Sequence, residues 1–201
     1  MQEFISQTPV ASIIFIFTLV TSIYAFSNPG IYGKFMLHPY SVSRGSRIYS
    51  IFTSGLIHQD WGHLFFNMLS YYFFAFQLER MIGHWQFGVL YIVSLALSDL
   101  STILKHKDHY GYNSLGASGA VSAVVFSFIL FNPGATLFVF FIPMNAVLFG
   151  VAYLFYSAYA SRQSSHINHD AHFFGALSGI IITIILYPQI VAYFIRQLGL
   201  G

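Results

Sequence analysis

Charge is what this chain has least of. Only 7% of its 201 residues are Asp, Glu, Lys or Arg, against roughly 25% in soluble domains. So few charges cannot cover a water-facing surface, which excludes an ordinary soluble protein. Cysteine is missing altogether, so there is no disulfide framework, no thiolate nucleophile and no cysteine metal site. Clustered basic residues are missing too. The net charge is +2 and Lys and Arg are scattered singly, which gives no phosphate-binding patch and no expectation of a nucleic-acid partner. No Lys or Arg precedes the first apolar run, while Glu3 does. A cleavable signal peptide would want a basic start, so this run is read as a spanning helix.

Apolar residues are what the chain has in excess. At 56% hydrophobic, it reads as an all-α, polytopic integral membrane protein whose solvent is the lipid bilayer. One membrane domain over residues 1–201 is expected, with no room for a sizeable soluble domain. A spanning helix needs about 20 largely apolar residues. The first candidate is Val10 to Phe26, broken by Ser27-Asn28-Pro29-Gly30. Ile31 to Gly55 mixes aromatics with Lys34, Arg44, Arg47, Pro39 and several Ser. It is too polar to span and too apolar to float free, as an interfacial segment would be. Further spans are read at Trp61 to Gln77, closed by Glu79 to Gly83, and at Trp85 to Leu104. A polar connector, Lys105 to Asn113, leads to a span from Ser118 to Asn132-Pro133-Gly134. In Ala135 to Tyr159, Pro143 suits a first helical turn, so a shorter helix starting there is expected. The polar stretch Ser161 to Asp170 precedes a last span, Ala171 to Phe194, making six.

Polar groups inside spans are costly and usually functional. Ser118 stands in Gly116-Ala117-Ser118-Gly119 at the head of an uncharged run. Its hydroxyl is either helix-end chemistry or a nucleophile. His172 begins the last span, and Ala171, Gly175 and Gly179 recur there every fourth residue. That small-residue stripe lets another helix approach closely, and the helix headed by Ser118 and Gly119 is the candidate neighbour. His63 and Asn67 are i and i+4, hence on one face. They are either interhelical glue or hydrogen-bond donors of an oxyanion hole. Glu79 is read as a local cap or a partner of Arg80, and Asp99 as a structural hydrogen bond or an ion path, structure preferred. His166, His169 and His172 recur every third residue. Zinc helices place ligands at i and i+4, so no metal is expected.

Taken together, His58, His63, Asn67, Glu79, Gly83, Gly116-Ala117-Ser118-Gly119 and Ala171-His172-Phe173-Phe174-Gly175 with Gly179 resemble the rhomboid intramembrane serine proteases. The resemblance covers nearly the whole chain and looks like the minimal six-helix bacterial-type core in the cell membrane. It implies a Ser–His dyad without a third carboxylate: Ser118 as nucleophile, His172 as general base. His63, Asn67 and the Ser118 backbone N–H would form the oxyanion hole, with His58 and the glycines Gly116 and Gly119 nearby. No cofactor is implied. The partners implied are transmembrane proteins, cut within or beside their spans, with a small residue before the cut.

Two departures stand out. The family's usual Arg three before Thr53 is Ser50 here, with Arg47 one turn earlier. The aromatic residue many members carry four after the nucleophile is Ser122, so Phe173, a neighbouring Tyr or a hydrogen bond must orient His172. Asp170 lies two before His172 and is left out of the dyad. Orientation is also in tension. The family places the N-terminus in the cytoplasm and the site outside, the orientation expected here. Yet Lys34, Arg44, Arg47, Lys105, Lys107 and Arg162 would then lie outside, against Arg80 and Arg196 inside, the reverse of the positive-inside rule. Two competing readings remain. One is a non-catalytic rhomboid-like protein that binds client helices. The other is a transporter or channel using Asp99 and the histidines as a proton path.

Overall fold

The computed structural model describes residues 6–139, 142–163 and 167–200. Helix α1 runs Pro9–Phe26. Three short helices follow, α2 (Pro29–Phe35), α3 (Pro39–Val42) and α4 (Ser50–Thr53), with a 3₁₀ turn at Ser54–Leu56. Helices α5 (Trp61–Ile82), α6 (His84–His106) and α7 (Ser118–Phe131) come next. An antiparallel hairpin of β1 (Thr136–Val139) and β2 (Ile142–Asn145) leads to α8 (Ala146–Ala160), α9 (His169–Leu186) and α10 (Ile190–Gln197).

α7 is the centre of the bundle: every residue from Gly119 to Ile129 is buried. The peripheral helices are apolar outward instead. On α1, Ile13 is 66% and Phe17 56% exposed, while Ser12, Thr18 and Ser22 face inward. That inverted pattern requires a hydrocarbon solvent. By length and composition, α1, α6 and α9 are each sufficient to cross a membrane. α5 has 22 residues but carries His63, Asn67, Gln77, Glu79 and Arg80. α7 and α8 are apolar and shorter, at 14 and 15 residues. The protein is an integral, all-α membrane protein, a bundle of six long helices among the described residues.

The segment expected at the interface consists of pieces too short to span, at seven, four and four residues. Arg47, which sits at φ 56°, donates from Nη2 to the carbonyls of Gly33, Lys34 and Met36 at 2.6–3.0 Å. Thr53 Oγ1 donates to Phe35 at 3.1 Å. Together they satisfy the carbonyls at the end of α2, which would otherwise lack partners.

Three expectations are corrected. Pro143 does not open the fifth helix; it lies in β2, opposite Phe138. The helix starts three residues later because Asn145 Oδ1 accepts from the N–H groups of Val147 and Leu148, an N-cap proline cannot supply. The last span does not reach Phe194. Pro188 forces Tyr187 out of helical geometry (φ −137°, ψ 75°), as the residue before a proline usually is, and α10 restarts at Ile190. Glu79 does not pair with Arg80. It is fully buried and accepts from Val10 N at 3.1 Å, Ala11 N at 2.6 Å and His84 Nδ1 at 2.7 Å. It therefore caps α1 from across the bundle, where the helix's first N–H groups lack partners.

Candidate active site

Three helices begin at the same side of the bundle. α5, α7 and α9 alternate with the returning helices α6 and α8, so their N-termini share one end. His63 is the third residue of α5, Ser118 the first of α7 and His172 the fourth of α9. Two caps fix the starts. Asp60 Oδ1 accepts from His63 N at 2.8 Å, and Asn168 Oδ1 accepts from Ala171 N at 3.1 Å. Asn168 Nδ2 also donates to Thr102 Oγ1 (2.7 Å) and Ser114 Oγ (3.1 Å). The start of α9 is thus tied to both α6 and the segment preceding α7.

Ser118 Oγ lies 2.8 Å from His172 Nε2, within the reach needed for an imidazole to accept a hydroxyl proton. Close backbone approach makes this distance possible. A Cβ on Gly175 would stand 2.2 Å from the Gly119 carbonyl oxygen, and one on Gly179 would stand 2.4 Å from that of Ala123. Gly119 itself sits against Ser98 Oγ, with the Ala171 carbonyl 3.3 Å from where its Cβ would be. No residue larger than glycine fits at these crossings without separating α7 from α9.

His63 packs on the loop that leads into α7; a Cβ on Gly116, which has φ 117°, would stand 2.7 Å from His63 Cε1. Its Nδ1 accepts from Gln59 N–H at 3.3 Å. A neutral imidazole has one donor and one acceptor, so Nε2 carries the proton. Asn67 Nδ2 donates to the His63 carbonyl at 3.0 Å, leaving its second N–H. His58 is fully buried beside His63, ring centroids 4.9 Å apart. Burial, helped by His63, pushes its pKa down to about 3, so it is neutral at physiological pH. Ser22 Oγ donates to Leu56 O at 2.8 Å and therefore receives the His58 Nδ1 proton at 3.0 Å. His58 Nε2 is left to accept from Ala117 N at 3.5 Å.

The interfacial segment braces the same loop. Leu37 and Ser114 exchange backbone hydrogen bonds at 2.9 and 3.0 Å, and Gly116 N donates to Ser54 O at 2.9 Å. Ser54 Oγ in turn donates to Asp99 Oδ2 at 3.0 Å. Asp99 thus makes a structural hydrogen bond to another element. Asp170 is bound to Lys105 Nζ. Of the histidine series considered for a metal, His166 lies outside the described residues. His169 meets His172 edge to face at 5.9 Å, while His172 Nε2 is occupied by Ser118.

The residue that sequence reasoning did not single out is Tyr153. Its ring lies along His172 (centroids 6.4 Å apart, planes 25°) and its hydroxyl is 2.6 Å from Ser122 Oγ. The only signal was indirect: a small polar Ser122 where an aromatic was expected implies that some other ring fills the space.

Residues 45–189 match the Rhomboid domain family. The chain belongs to the rhomboid family. Among its rhomboid relatives is RHOMBOID-like protein 12, mitochondrial, of Arabidopsis thaliana. It is 29% identical over 164 residues, covering 71% of this chain and 49% of the relative. Putative rhomboid protease YdcA of Bacillus subtilis is 29% identical over 140 residues, covering 66% of this chain and 64% of that one. Rhomboid protein 1, mitochondrial, of Saccharomyces cerevisiae is 32% identical over 139 residues, covering 66% and 40%. The chain spans about half the length of these curated rhomboid relatives.

Proposed function

We propose that this rhomboid is an intramembrane serine endopeptidase that cuts transmembrane proteins within or beside their spans. The observation that carries this reading is the 2.8 Å contact between Ser118 Oγ and His172 Nε2. In the proposed reaction His172 takes the hydroxyl proton as Ser118 attacks the scissile carbonyl. The oxyanion forms beside the first N–H groups of α7, which lack intrahelical partners. His63 Nε2–H and the second Asn67 N–H complete its donors. His172 then protonates the leaving amine, and water hydrolyses the acyl-enzyme by the same steps. The mechanism uses no metal or cofactor. A small residue before the cut is the preference the family resemblance implies.

Depth supports the choice of substrate. α7 has 14 residues, about 21 Å at a rise of about 1.5 Å per residue. The hydrocarbon core is ~30 Å thick. With the Asn132-Pro133-Gly134 turn at one face, Ser118 lies below the other, where a spanning segment presents its peptide bonds.

The same reading puts the chain in the cell membrane, N-terminus in the cytoplasm and site facing outward. Three of the six outer cations have structural partners that account for their positions. Arg44 meets Asp108 and the Tyr40 ring, Arg47 the α2 carbonyls, and Lys105 the Ser161 carbonyl and Asp170. Protease protection of terminal tags tests this, and an N-terminus found outside would refute it.

The activity is tested by reconstituting the chain with a single-span reporter and mapping the products by mass. Ser118→Ala and His172→Ala should each lower cleavage on the order of 10⁴-fold or more, with the fold retained and chelators without effect. Cleavage by Ser118→Ala at the wild-type rate would refute the reading.

A further inference from the structure

α8 leans on the bundle along a narrow stripe. Its buried residues are Ala146, Gly150, Ser157 and Ala160, all small. Tyr153 falls between them at helical spacing, on the same face, and is the one large side chain of that stripe. Much of the rest of the helix is open: Leu148, Phe155, Tyr156 and Tyr159 are all exposed, while Val147 and Phe149 are half-buried against the bundle. Tyr153 therefore projects from the loosely seated α8 into the gap between α7 and α9.

Both ends of Tyr153 are held there. Its hydroxyl meets Ser122 Oγ at 2.6 Å. Ser122 stands one turn below Ser118 on the same face of α7. Its ring is flanked by Phe126 at 5.6 Å and Phe149 at 5.7 Å, and lies nearly parallel to His172 at 6.4 Å. Ring pairs at such separations prefer offset-stacked geometry, so the tyrosine plane limits how the imidazole can turn. The His169 ring also meets His172 edge-on at 5.9 Å, and Tyr156 of α8 meets His169 in turn at 5.4 Å.

We propose that Tyr153 is a positioning residue for the His172 imidazole, and that through it the seating of α8 controls whether the Ser118–His172 pair is aligned. The inference rests on the protease reading and adds a control element to it. The ring that orients the base stands on a different helix from the nucleophile and from the base. Displacing α8 therefore withdraws the ring and frees His172 to rotate away, while Ser118 stays in place on α7. Only with α8 seated is the base aligned.

The test compares reporter cleavage by the full chain in proteoliposomes across four variants, alongside fluorophosphonate labelling of Ser118. Tyr153→Leu should lower kcat and the labelling rate about tenfold, the upper end of what an aromatic pair is worth, with KM unchanged. Tyr153→Phe keeps the ring and should lose about threefold, the size of one modest hydrogen bond. Ser122→Ala removes the same hydrogen bond and should match it. The deciding variant returns an aromatic from the nucleophile's own helix: Ser122→Tyr combined with Tyr153→Leu should recover most of kcat. If Tyr153→Leu does not fold, the comparison of Tyr153→Phe with Ser122→Ala still decides, since equal losses in kcat alone are required. Wild-type kcat in Tyr153→Leu would overturn the proposal, as would a loss confined to KM or a combined variant no better than Tyr153→Leu. No labelling of the wild-type chain would instead remove the protease reading, and this inference with it.

Discussion

Asn67 and His63 are the residues whose roles rest most on hydrogen-bond accounting. Each has one donor already constrained or one acceptor already filled: Asn67 gives an N–H to the His63 carbonyl, and His63 Nδ1 takes the Gln59 N–H. What remains is an N–H on each, at the mouth where α7 begins. Removing one oxyanion donor typically costs on the order of 10²–10³ in kcat. Asn67→Ala and His63→Ala are accordingly expected to lower kcat by about that much while Ser118 still reacts with a fluorophosphonate. Unchanged kcat in both would remove them from the oxyanion hole. At this scale the sequence was informative wherever spacing along one helix carried the signal. His63 with Asn67 at i, i+4 is such a case, and Gly175 with Gly179 is another. Tyr153 was invisible because its partners, Ser122 and His172, lie on other helices, and no local periodicity reports a contact between helices. The pairing of Glu79 was missed for the same reason. Arg80 is its neighbour in sequence, but the N–H groups of Val10 and Ala11 are its neighbours in space.

Among the elements, the α7–α9 crossing sets the site. A Cβ at Gly179 would stand 2.4 Å from the Ala123 carbonyl oxygen and 2.5 Å from Ala123 Cα. Backbone cannot yield as a side-chain end can, so Gly179→Ala must push the helices apart. Overpacking of this kind costs about 1–3 kcal/mol, and it should lower both thermal stability and cleavage. Gly33→Ala, where nothing lies within 4 Å, is the control and should change neither. The Glu79 clamp makes a second prediction. Glu79→Gln leaves one acceptor oxygen for two helix N–H groups, and should weaken the docking of α1 by about 1–3 kcal/mol. Faster proteolytic nicking near Pro9 would report it, and an unchanged nicking rate would contradict it. The spanning helices were readable because long apolar runs have few alternatives. The hairpin before α8 was not, since β1 and β2 are as apolar as a buried helix. The break at Tyr187-Pro188 was overlooked because hydrophobicity continues through it to Phe194.

For the molecule as a whole, the arrangement is a short central helix inside a ring of longer ones. α7 is buried along nearly its whole length, while the outer helices present Ile13, Phe17, Phe65, Phe155 and Ile185 to their surroundings. The polar ends of α5, α7 and α9 gather at one side, braced by the interfacial segment through Leu37–Ser114 and Ser54–Gly116. That common end was legible from the alternation of spans alone. The bracing was not, because an isolated bridge between residues 77 apart leaves no mark on composition. Activation of the Ser118 hydroxyl by His172 is the step on which the proposed activity depends. The most direct measurement is the mass of the chain after exposure to a fluorophosphonate. A single adduct at Ser118 is expected, absent in Ser118→Ala and strongly reduced in His172→Ala. A folded chain that stays unlabelled, or that is labelled as fast without His172, would contradict it.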